Sequence, residues 1–237
     1  PDINYINGKY VLYYAMSVWG GEQTCGIGVA TANSPQGPFT DHGKMFRSNE
    51  IGVQNSIDPS LLQYEGRNYL VWGSFRGIYV IELTADGLSI MSGAKKKRIA
   101  GTAFEAVYIH KHGDYYYMFA SIGSCCQGVK STYKVVVGRS KKVWGPYKDK
   151  TGKPMLKNGY SLVIGANDHF VGNGHGSQII QDDAGQDWLL YHGFSRSTPE
   201  NGRILLLDQI KWDQEGWPYV EGGSPSYETQ KAPVFNN

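Results

Sequence analysis

Three polar residues stand at the openings of strand-like segments, where they could carry acid–base chemistry. Asp58 precedes Pro59 in "NSIDPSLL", Glu105 opens "EAVYI", and His175 lies in "GNGHGS". Two carboxylates and an imidazole in one cleft are a set that can move protons to and from a substrate. Taken singly, each residue has a structural alternative: a turn start for Asp58, a loop cap for Glu105 and a core position for His175.

The three residues share a register with the turns that follow them. A glycine comes eight residues after Asp58 and after Glu105, and ten residues after His175, where the turn is slightly longer. Equivalent positions at the starts of repeated strands gather at one end of a repeat structure. The shared register therefore predicts that these side chains face a common pocket.

The elements that must position them form a repeat. Each repeated segment runs from a polar opening through a short apolar strand and a Gly-containing turn into an aromatic-rich strand, which is a hairpin signature. The four segments are Pro1–Ser17, Ile57–Phe75, Glu105–Ser121 and His175–Ser195. Two further segments, Cys25–Asp41 and Tyr133–Asp149, share a small-residue strand, a polar turn and a Gly-Pro-aromatic motif. The pattern predicts four-stranded blades of a β-propeller, and a β-sandwich with irregular loops is the alternative.

Composition agrees with an all-β chain. The 237 residues include 31 Gly and 17 Tyr, and 41% are hydrophobic, which suits many turns and one large core. A net charge of +2 gives no indication of a nucleic-acid partner, and no apolar stretch approaches the roughly 18 residues of a membrane helix. We expect one domain over residues 1–237. Neighbouring cysteines rarely bridge each other, so Cys25, Cys125 and Cys126 are predicted to be packed thiols.

Several motifs resemble those of glycoside hydrolase family 43, and most of all its endo-1,5-α-L-arabinanases. They are "NSIDPSLL", "GSFRGI", "FEAVYI", "SIGSCCQGVKSTYKVVVGRS", "GNGHGSQII" and "DWLLYHGF", and the similarity runs from Pro1 to about Tyr219. The resemblance implies a five-bladed propeller that hydrolyses α-1,5-linked L-arabinan with inversion. Two alternatives stay open: a non-catalytic propeller that binds arabinan or xylan, and a relative that acts on arabinoxylan or xylo-oligosaccharides.

The resemblance also implies roles for individual residues. Glu105 matches the general acid, and Asp58 matches the carboxylate that raises the pKa of that acid and holds it in position. Arg76 stands where the family more often has an aromatic residue or Ser. The positions that match substrate-contacting loops are Asn55, Ser56, Ser74, Phe75, Arg76 and Gly77.

Two further expectations concern an ion and the missing base. His175 matches the imidazole that binds a central ion, usually Ca²⁺, mostly through water. The general base of the family is an Asp on a first blade that we expect to be missing here or supplied by a separate chain or segment, so residues 1–237 would be blades two to five. Asp2 lies six residues before Gly8 and faces the same side of its strand, but its register is two residues late.

The ends of the chain carry two more expectations. The resemblance implies a secreted or periplasmic protein whose signal peptide would lie outside this sequence. The C-terminal segment "SPSYETQKAPVF" would suit a closing strand that returns to the first blade.

Overall fold

The structure is a computed structural model, and it describes residues 1–236. Strands and loops make up nearly all of it. Within residues 1–236 the one α-helix, α1, is a single turn at Ser48–Ile51, and the other helical segments are short 3-10 turns. No helix in the described part of the chain has the length and apolar character needed to cross a membrane.

The chain divides into two compact units, Pro1–Tyr108 and Ile109–Asn237. The first unit contains two antiparallel sheets whose strands follow one another in chain order. The first sheet consists of β1 (Asp2–Ile6), β2 (Lys9–Met16), β3 (Gly26–Ala32) and β4 (Thr40–Arg47). The second sheet consists of β5 (Ser60–Tyr64), β6 (Arg67–Trp72), β7 (Ile78–Glu82) and β8 (Lys97–Ala100).

Two more sheets follow in the same manner, and the boundary between the units falls within the first of their strands. The third sheet consists of β9 (Glu105–His112), β10 (Tyr115–Ile122), β11 (Lys134–Ser140) and β12 (Ser161–Ile164). The fourth consists of β13 (Phe170–Gly174), β14 (Ile180–Gln181), β15 (Asp187–Ser195), β16 (Arg203–Trp212) and β17 (Pro218–Tyr219). Both β13 and β14 pair with β15, so they form one strand that is interrupted in the middle.

The hairpins form where the sequence supplies the right turn residues. Asn7-Gly8 joins β1 to β2 and Glu65-Gly66 joins β5 to β6, and all four residues have positive φ, from 47° to 83°. Two consecutive residues at positive φ match the type I′ turn, whose twist suits two-residue hairpins. Local turn chemistry therefore sets the register of these two hairpins.

Each unit buries its own apolar cluster. The cluster of the first unit draws on both of its sheets and includes Tyr13, Ile27, Phe46, Leu70 and Trp72. The cluster of the second unit includes Tyr117, Phe119, Leu189, Tyr191 and Trp217. Full burial of a large apolar side chain contributes about 1.5–3 kcal/mol to folding, so these clusters fix the sheets that position the polar residues.

The predicted fold class is confirmed: the chain is all-β, and its sheets are four-stranded propeller blades. Each sheet takes consecutive strands of the chain, whereas the Greek-key connections of a sandwich exchange strands between sheets. The first three repeated segments are the strand pairs that begin their sheets, and the fourth, His175–Ser195, is the pair β14–β15 that follows β13. The two segments with a Gly-Pro-aromatic motif contain the equivalent strands β3 and β11. The sandwich alternative is therefore excluded.

The prediction about the paired cysteines was wrong. Cys125 and Cys126 form a disulfide between adjacent residues and are not packed thiols, while Cys25 is a buried free thiol as predicted. Rarity of adjacent pairing is a statistical argument, and it does not decide a particular pair.

The predicted closing strand is also absent from the described C-terminal segment. Residues 224–236 contain no strand. Instead the Val234 amide donates to the carboxylate of Asp182 at 3.0 Å, and the Asp183 amide donates to the carbonyl of Val234 at 2.9 Å. The segment is held by the turn between β14 and β15 of its own unit, because that turn offers acceptors that the backbone of the segment can reach.

Candidate active site

The two candidate catalytic carboxylates lie at the starts of neighbouring strands in the first unit. Asp58 comes two residues before β5, and Glu105 is the first residue of β9. The Ala106 amide donates to Oδ2 of Asp58 at 3.3 Å, and the Ser60 hydroxyl donates to the carbonyl of Val107 at 2.6 Å. The shared register predicted from the sequence therefore brings the segments of Asp58 and Glu105 together.

A tight loop presents a hydroxyl to the predicted acid. The Ser74 hydroxyl donates to Oε2 of Glu105 at 2.6 Å, and the Phe75 amide donates to the carbonyl of Phe104 at 2.9 Å. Gly73 begins the loop with a φ of 128°, and a Cβ there would lie 2.2 Å from the carbonyl oxygen of Gly77. The glycine lets the loop close tightly enough to place Ser74 against the carboxylate.

The loop before β5, which contains Asn55 and Ser56, supports the loop of Ser74 through hydrogen bonds. The Asn55 side chain donates to the carbonyl of Ser74 at 3.0 Å. Ser56 is fully buried, and its hydroxyl donates to the carbonyl of Val53 at 2.8 Å and accepts from the indole of Trp72 at 3.1 Å. In this structure Ser56 supports the loop, while substrate contact by the other predicted loop residues stays a prediction.

Arg76 makes a contact that the sequence analysis missed. Its guanidinium donates through two nitrogens to the carboxylate of Glu22, at 3.0 and 2.8 Å, in a partly exposed ion pair. The backbone of Glu22 also accepts from the Asn55 amide at 2.8 Å. The loop after β2 is thus tied to both predicted substrate loops, and no local sequence signal pointed to Glu22.

The backbone around the site is strained. Asn55, Asp58, Phe75 and Ala106 all have φ between 52° and 56°, in the left-handed region. That region costs an L-residue about 1–2 kcal/mol. Such conformations persist only where surrounding contacts fix them, and they concentrate at functional sites. The hydrogen bonds described above supply those contacts.

The electrostatics of the site separate its two carboxyl groups from ordinary surface acids. Burial raises the pKa of Asp58 to about 6, and the hydrogen bond from the Ala106 amide acts in the opposite direction. Glu105 is buried, with 8% of its surface exposed. A carboxyl that titrates near pH 6 beside a second buried carboxyl is an arrangement suited to holding a proton for transfer.

Asp2 has a structural position. Its carboxylate is buried and accepts hydrogen bonds from the Asn4 side chain and the Leu61 amide, both at 2.7 Å, and from the Tyr108 hydroxyl at 3.2 Å. Burial raises its pKa. These bonds tie β1 to β5 and β9, a role for Tyr108 that sequence reasoning did not find.

His175 lies in the second unit, where the first strand of the fourth sheet is interrupted. Its φ is 52°, and its amide donates to the Ser121 hydroxyl at 2.8 Å. Its ring is 6.2 Å from the ring of His192. Burial and the nearby Arg203 lower the pKa of His192 to about 4, so this ring is neutral at physiological pH.

The described residues offer no cluster of acidic side chains to an ion at His175. Among residues 1–236, no cluster of three or more His, Cys, Asp or Glu donors includes His175. Calcium prefers six to eight oxygen ligands, and acidic side chains among the described residues do not form a cage for it there. The buried Nδ1 of His192, however, has no hydrogen-bond partner within the described residues. A neutral imidazole in need of a partner suits the outer waters of a hydrated ion.

Comparison with known proteins places this architecture among carbohydrate-active enzymes. The sequence model described as glycosyl hydrolases family 43 matches residues 1–218. An extracellular exo-α-(1→5)-L-arabinofuranosidase of Cellvibrio japonicus is 38% identical over 93% of this chain and 69% of its own length. An extracellular endo-α-(1→5)-L-arabinanase of Bacillus subtilis is also 38% identical, over 92% of this chain and 67% of its own length.

The fold comparison agrees with the sequence comparison. A Cellvibrio cellulosa α-L-arabinanase, solved in complex with arabinohexaose, superposes with a TM-score of 0.86 at 35% identity. That similarity covers 94% of this chain and 77% of the other. On the match over nearly its whole length, and on the strand starts that place Asp58 and Glu105 together, the chain belongs to the glycosyl hydrolases of family 43.

Proposed function

We propose that the chain hydrolyses α-1,5-linked L-arabinan with inversion at the anomeric carbon. The observation that carries this proposal is the buried carboxyl of Glu105, oriented by Ser74 and set beside the segment of Asp58. The arabinan specificity rests on the relatives, which are named as an α-(1→5)-L-arabinofuranosidase, an α-(1→5)-L-arabinanase and an arabinanase in complex with arabinohexaose.

Glu105 acts as the general acid. It donates its proton to the glycosidic oxygen as the bond from that oxygen to the anomeric carbon breaks, so the leaving sugar departs as a neutral alcohol. The Ser74 hydroxyl at 2.6 Å fixes the rotamer of the carboxyl group. Fixed geometry matters because a small misplacement of a proton donor lowers the rate steeply.

Asp58 sets the charge around that acid. Its pKa of about 6 means that it becomes negatively charged as the pH rises through that value. Once ionised, it opposes ionisation of the neighbouring Glu105 and so keeps the proton on the acid. The productive form has Asp58 ionised and Glu105 protonated.

The general base is proposed to be an aspartate that is not among these 237 residues. In an inverting enzyme the base deprotonates a water that attacks the anomeric carbon from the opposite face, and the two carboxyl groups stand roughly 6.5–9.5 Å apart. Asp2 does not suit the role, because its carboxylate already accepts three hydrogen bonds within the first unit.

The loops at Asn55 and Ser74–Gly77 are proposed to contact the substrate. Phe75 offers an aromatic face to a sugar ring, and Arg76 offers donors to sugar hydroxyls, although Glu22 engages its guanidinium in this structure. Substrate would have to share or displace that ion pair. Arg76 is therefore the loop residue at which this chain can differ most from its relatives in preference.

The ion proposed at His175 is Ca²⁺ or a similar cation, held directly by the imidazole and otherwise by water. Support comes from the unpartnered Nδ1 of His192 beside it. When bound, such an ion would supply positive charge beside the imidazole. We propose that the protein is secreted, because the relatives of Cellvibrio japonicus and Bacillus subtilis are extracellular.

An exo mode of action is the second candidate. The exo-acting and the endo-acting relative are equally similar to this chain, at 38% identity each. We propose the endo mode, in line with the resemblance of the motifs to endo-1,5-α-L-arabinanases, and the products distinguish the two modes. An endo enzyme releases a range of oligosaccharides early in the reaction, whereas an exo enzyme releases one short product throughout.

The test is hydrolysis of linear arabinan by the protein that carries this chain, with product sizes followed by chromatography and the anomer followed by NMR. We expect mixed oligosaccharides whose newly formed reducing ends are initially the β-anomer. Matched assays on xylan and arabinoxylan should give no release. Binding to arabinan without any release by the wild-type protein would instead indicate the non-catalytic propeller, and release only from xylan-type substrates would contradict the arabinan assignment.

A further inference from the structure

A cluster of metal-binding side chains lies in the second unit and shares no residue with the proposed mechanism. His110 and His112 belong to β9, and Asp187 is the first residue of β15. One donor atom from each of the three lies within 4.8 Å of the others. Glu105 stands at the opposite end of β9, so the reaction does not use this cluster.

We infer that His110, His112 and Asp187 bind a divalent transition-metal ion of the zinc class. Residues two apart on a strand point to the same face, so both imidazoles of β9 face the same ion. Two imidazoles and a carboxylate suit Zn²⁺, Ni²⁺ or Cu²⁺, whereas Ca²⁺ and Mg²⁺ call for oxygen ligands. The site therefore differs in chemistry from the ion proposed at His175.

The distances require only a small closure. Zinc bonds to imidazole and carboxylate are about 2.0–2.2 Å long, so donors around a tetrahedral ion stand roughly 3.3–3.6 Å apart. Nδ1 of His112 is already 3.7 Å from Oδ2 of Asp187, too far for a hydrogen bond and close to the separation that a shared ion imposes. The His112 side chain is 39% exposed, which gives it room to adjust and gives the ion a path from solvent.

The groups behind the cluster orient it. The Trp212 indole donates to Oδ2 of Asp187 at 2.7 Å, and the Gln181 side chain donates to Oδ1 at 3.2 Å. The ring of His112 lies flat on the same indole, with centroids 3.7 Å apart and planes 7° apart. Hydrogen bonds that fix a ligating carboxylate are a regular part of metal sites, and each carboxylate oxygen keeps a second lone pair for the ion.

The test is a titration of tag-free, chelator-treated protein with Zn²⁺ by calorimetry, and with Co²⁺ by visible absorption. We expect the wild type to bind one ion more than the double variant His110→Gln/His112→Gln, with a visible Co²⁺ band that the variant lacks. His42→Gln is the matched control, because His42 is an exposed histidine of the first unit. It should leave both readouts unchanged.

Two further variants refine the result. His112→Gln alone changes a partly exposed side chain and should fold like the wild type, while weakening Zn²⁺ at least about tenfold. Trp212→Phe keeps the aromatic face and removes the donor to Asp187, and should weaken Zn²⁺ about 10–100-fold. Activity on arabinan should be the same in His112→Gln as in the wild type. Equal Zn²⁺ stoichiometry and affinity in the wild type and in either histidine variant, or no Co²⁺ band in the wild type, would overturn the inference.

Discussion

At the scale of single residues, the site depends on how much water each carboxyl group has lost. Asp58 is half-buried and receives one long hydrogen bond from a backbone amide, so burial dominates and its pKa rises to about 6. Asp2 is buried too, but three donors surround it. The environment of Asp58 lets it change its charge near neutral pH, whereas the hydrogen bonds of Asp2 hold β1 against β5 and β9.

The raised pKa of Asp58 gives a stability prediction. The folded protein holds the proton on Asp58 more tightly than the unfolded chain, whose pKa is near the ordinary 3.8. Its favourable contribution is therefore present below about pH 4 and is lost as the pH rises through about 6. Asp58→Asn stays neutral and can still accept from the Ala106 amide. Relative to the wild type, we expect the free energy of unfolding of the variant to gain about 2–3 kcal/mol between pH 4 and pH 7.

Urea unfolding of both proteins at several pH values between 4 and 8 measures this difference. The other buried carboxyl groups are common to both proteins, so their pH dependence cancels. Asp58→Ala is the control for the lost hydrogen bond, because it is also neutral but cannot accept from the amide. A difference between Asp58→Asn and the wild type that is independent of pH would show that Asp58 is not the titrating group.

At the scale of elements, the hairpin turns differ in how well their residues suit them. Asn7 and Glu65 occupy the same turn position, with φ of 47° and 49°. Asn tolerates the left-handed region and Glu does so poorly. Asn is therefore expected to suit the position of Glu65, in the turn between β5 and β6, better than Glu does.

Replacing Glu65 by Asn is expected to stabilise the protein by about 0.5–1 kcal/mol, because the strain of the left-handed backbone is reduced. The midpoint of urea unfolding should rise while its slope stays constant. Glu65→Gln removes the charge without changing the backbone preference and should leave the midpoint in place. An equal rise in both variants would assign the effect to charge and not to the turn.

Local patterns in the sequence could be predicted, whereas contacts between distant residues could not. The hairpins at the starts of the first three sheets, the strands β3 and β11, and the common register of Asp58 and Glu105 were predicted from local periodicity and Gly spacing. The ion pair of Arg76 with Glu22 joins residues 54 positions apart, and no local pattern announces it. Contacts between residues distant in sequence, such as those of Asp2, become visible only once the sheets are assembled.

The burial of Ser56, a predicted substrate-contacting residue, could not be predicted from the sequence either. The motif predicts that Ser56 contacts substrate, but its side chain is buried and accepts from the indole of Trp72. Motif similarity predicts the position of a loop on the fold. The direction of each side chain depends on φ at its own residue and on the packing beneath it, so the motif alone could not separate a contact residue from a supporting one.

At the scale of the whole molecule, the proposed chemistry is divided between the two units. Asp58, Glu105 and Ser74 belong to the first, whereas His175 and the cluster of His110, His112 and Asp187 belong to the second. Each unit has its own apolar cluster. Ion binding and acid catalysis should therefore be separable by mutation.

Calcium is expected to raise the melting temperature of the wild-type protein, because an ion that binds only the folded state stabilises it by mass action. At a hundredfold excess over the Kd, the shift should be about 5–10 °C for a chain of this size. His175→Ala should abolish the dependence, with the chelator-treated form of each protein as its baseline. Glu105→Gln should keep it. A calcium-dependent shift that survives in His175→Ala would place the ion elsewhere.

The most direct test of the central claim is the dependence of Glu105→Gln on the leaving group. An acid that protonates the glycosidic oxygen is needed for a sugar alcohol, which leaves poorly, and hardly needed for a nitrophenolate, which leaves well. For the protein that carries this chain, we predict that kcat/KM of Glu105→Gln falls by about 10²–10⁴-fold on linear arabinan and by much less on nitrophenyl α-L-arabinofuranoside. An equal loss on both substrates would contradict the assignment of Glu105 as the general acid.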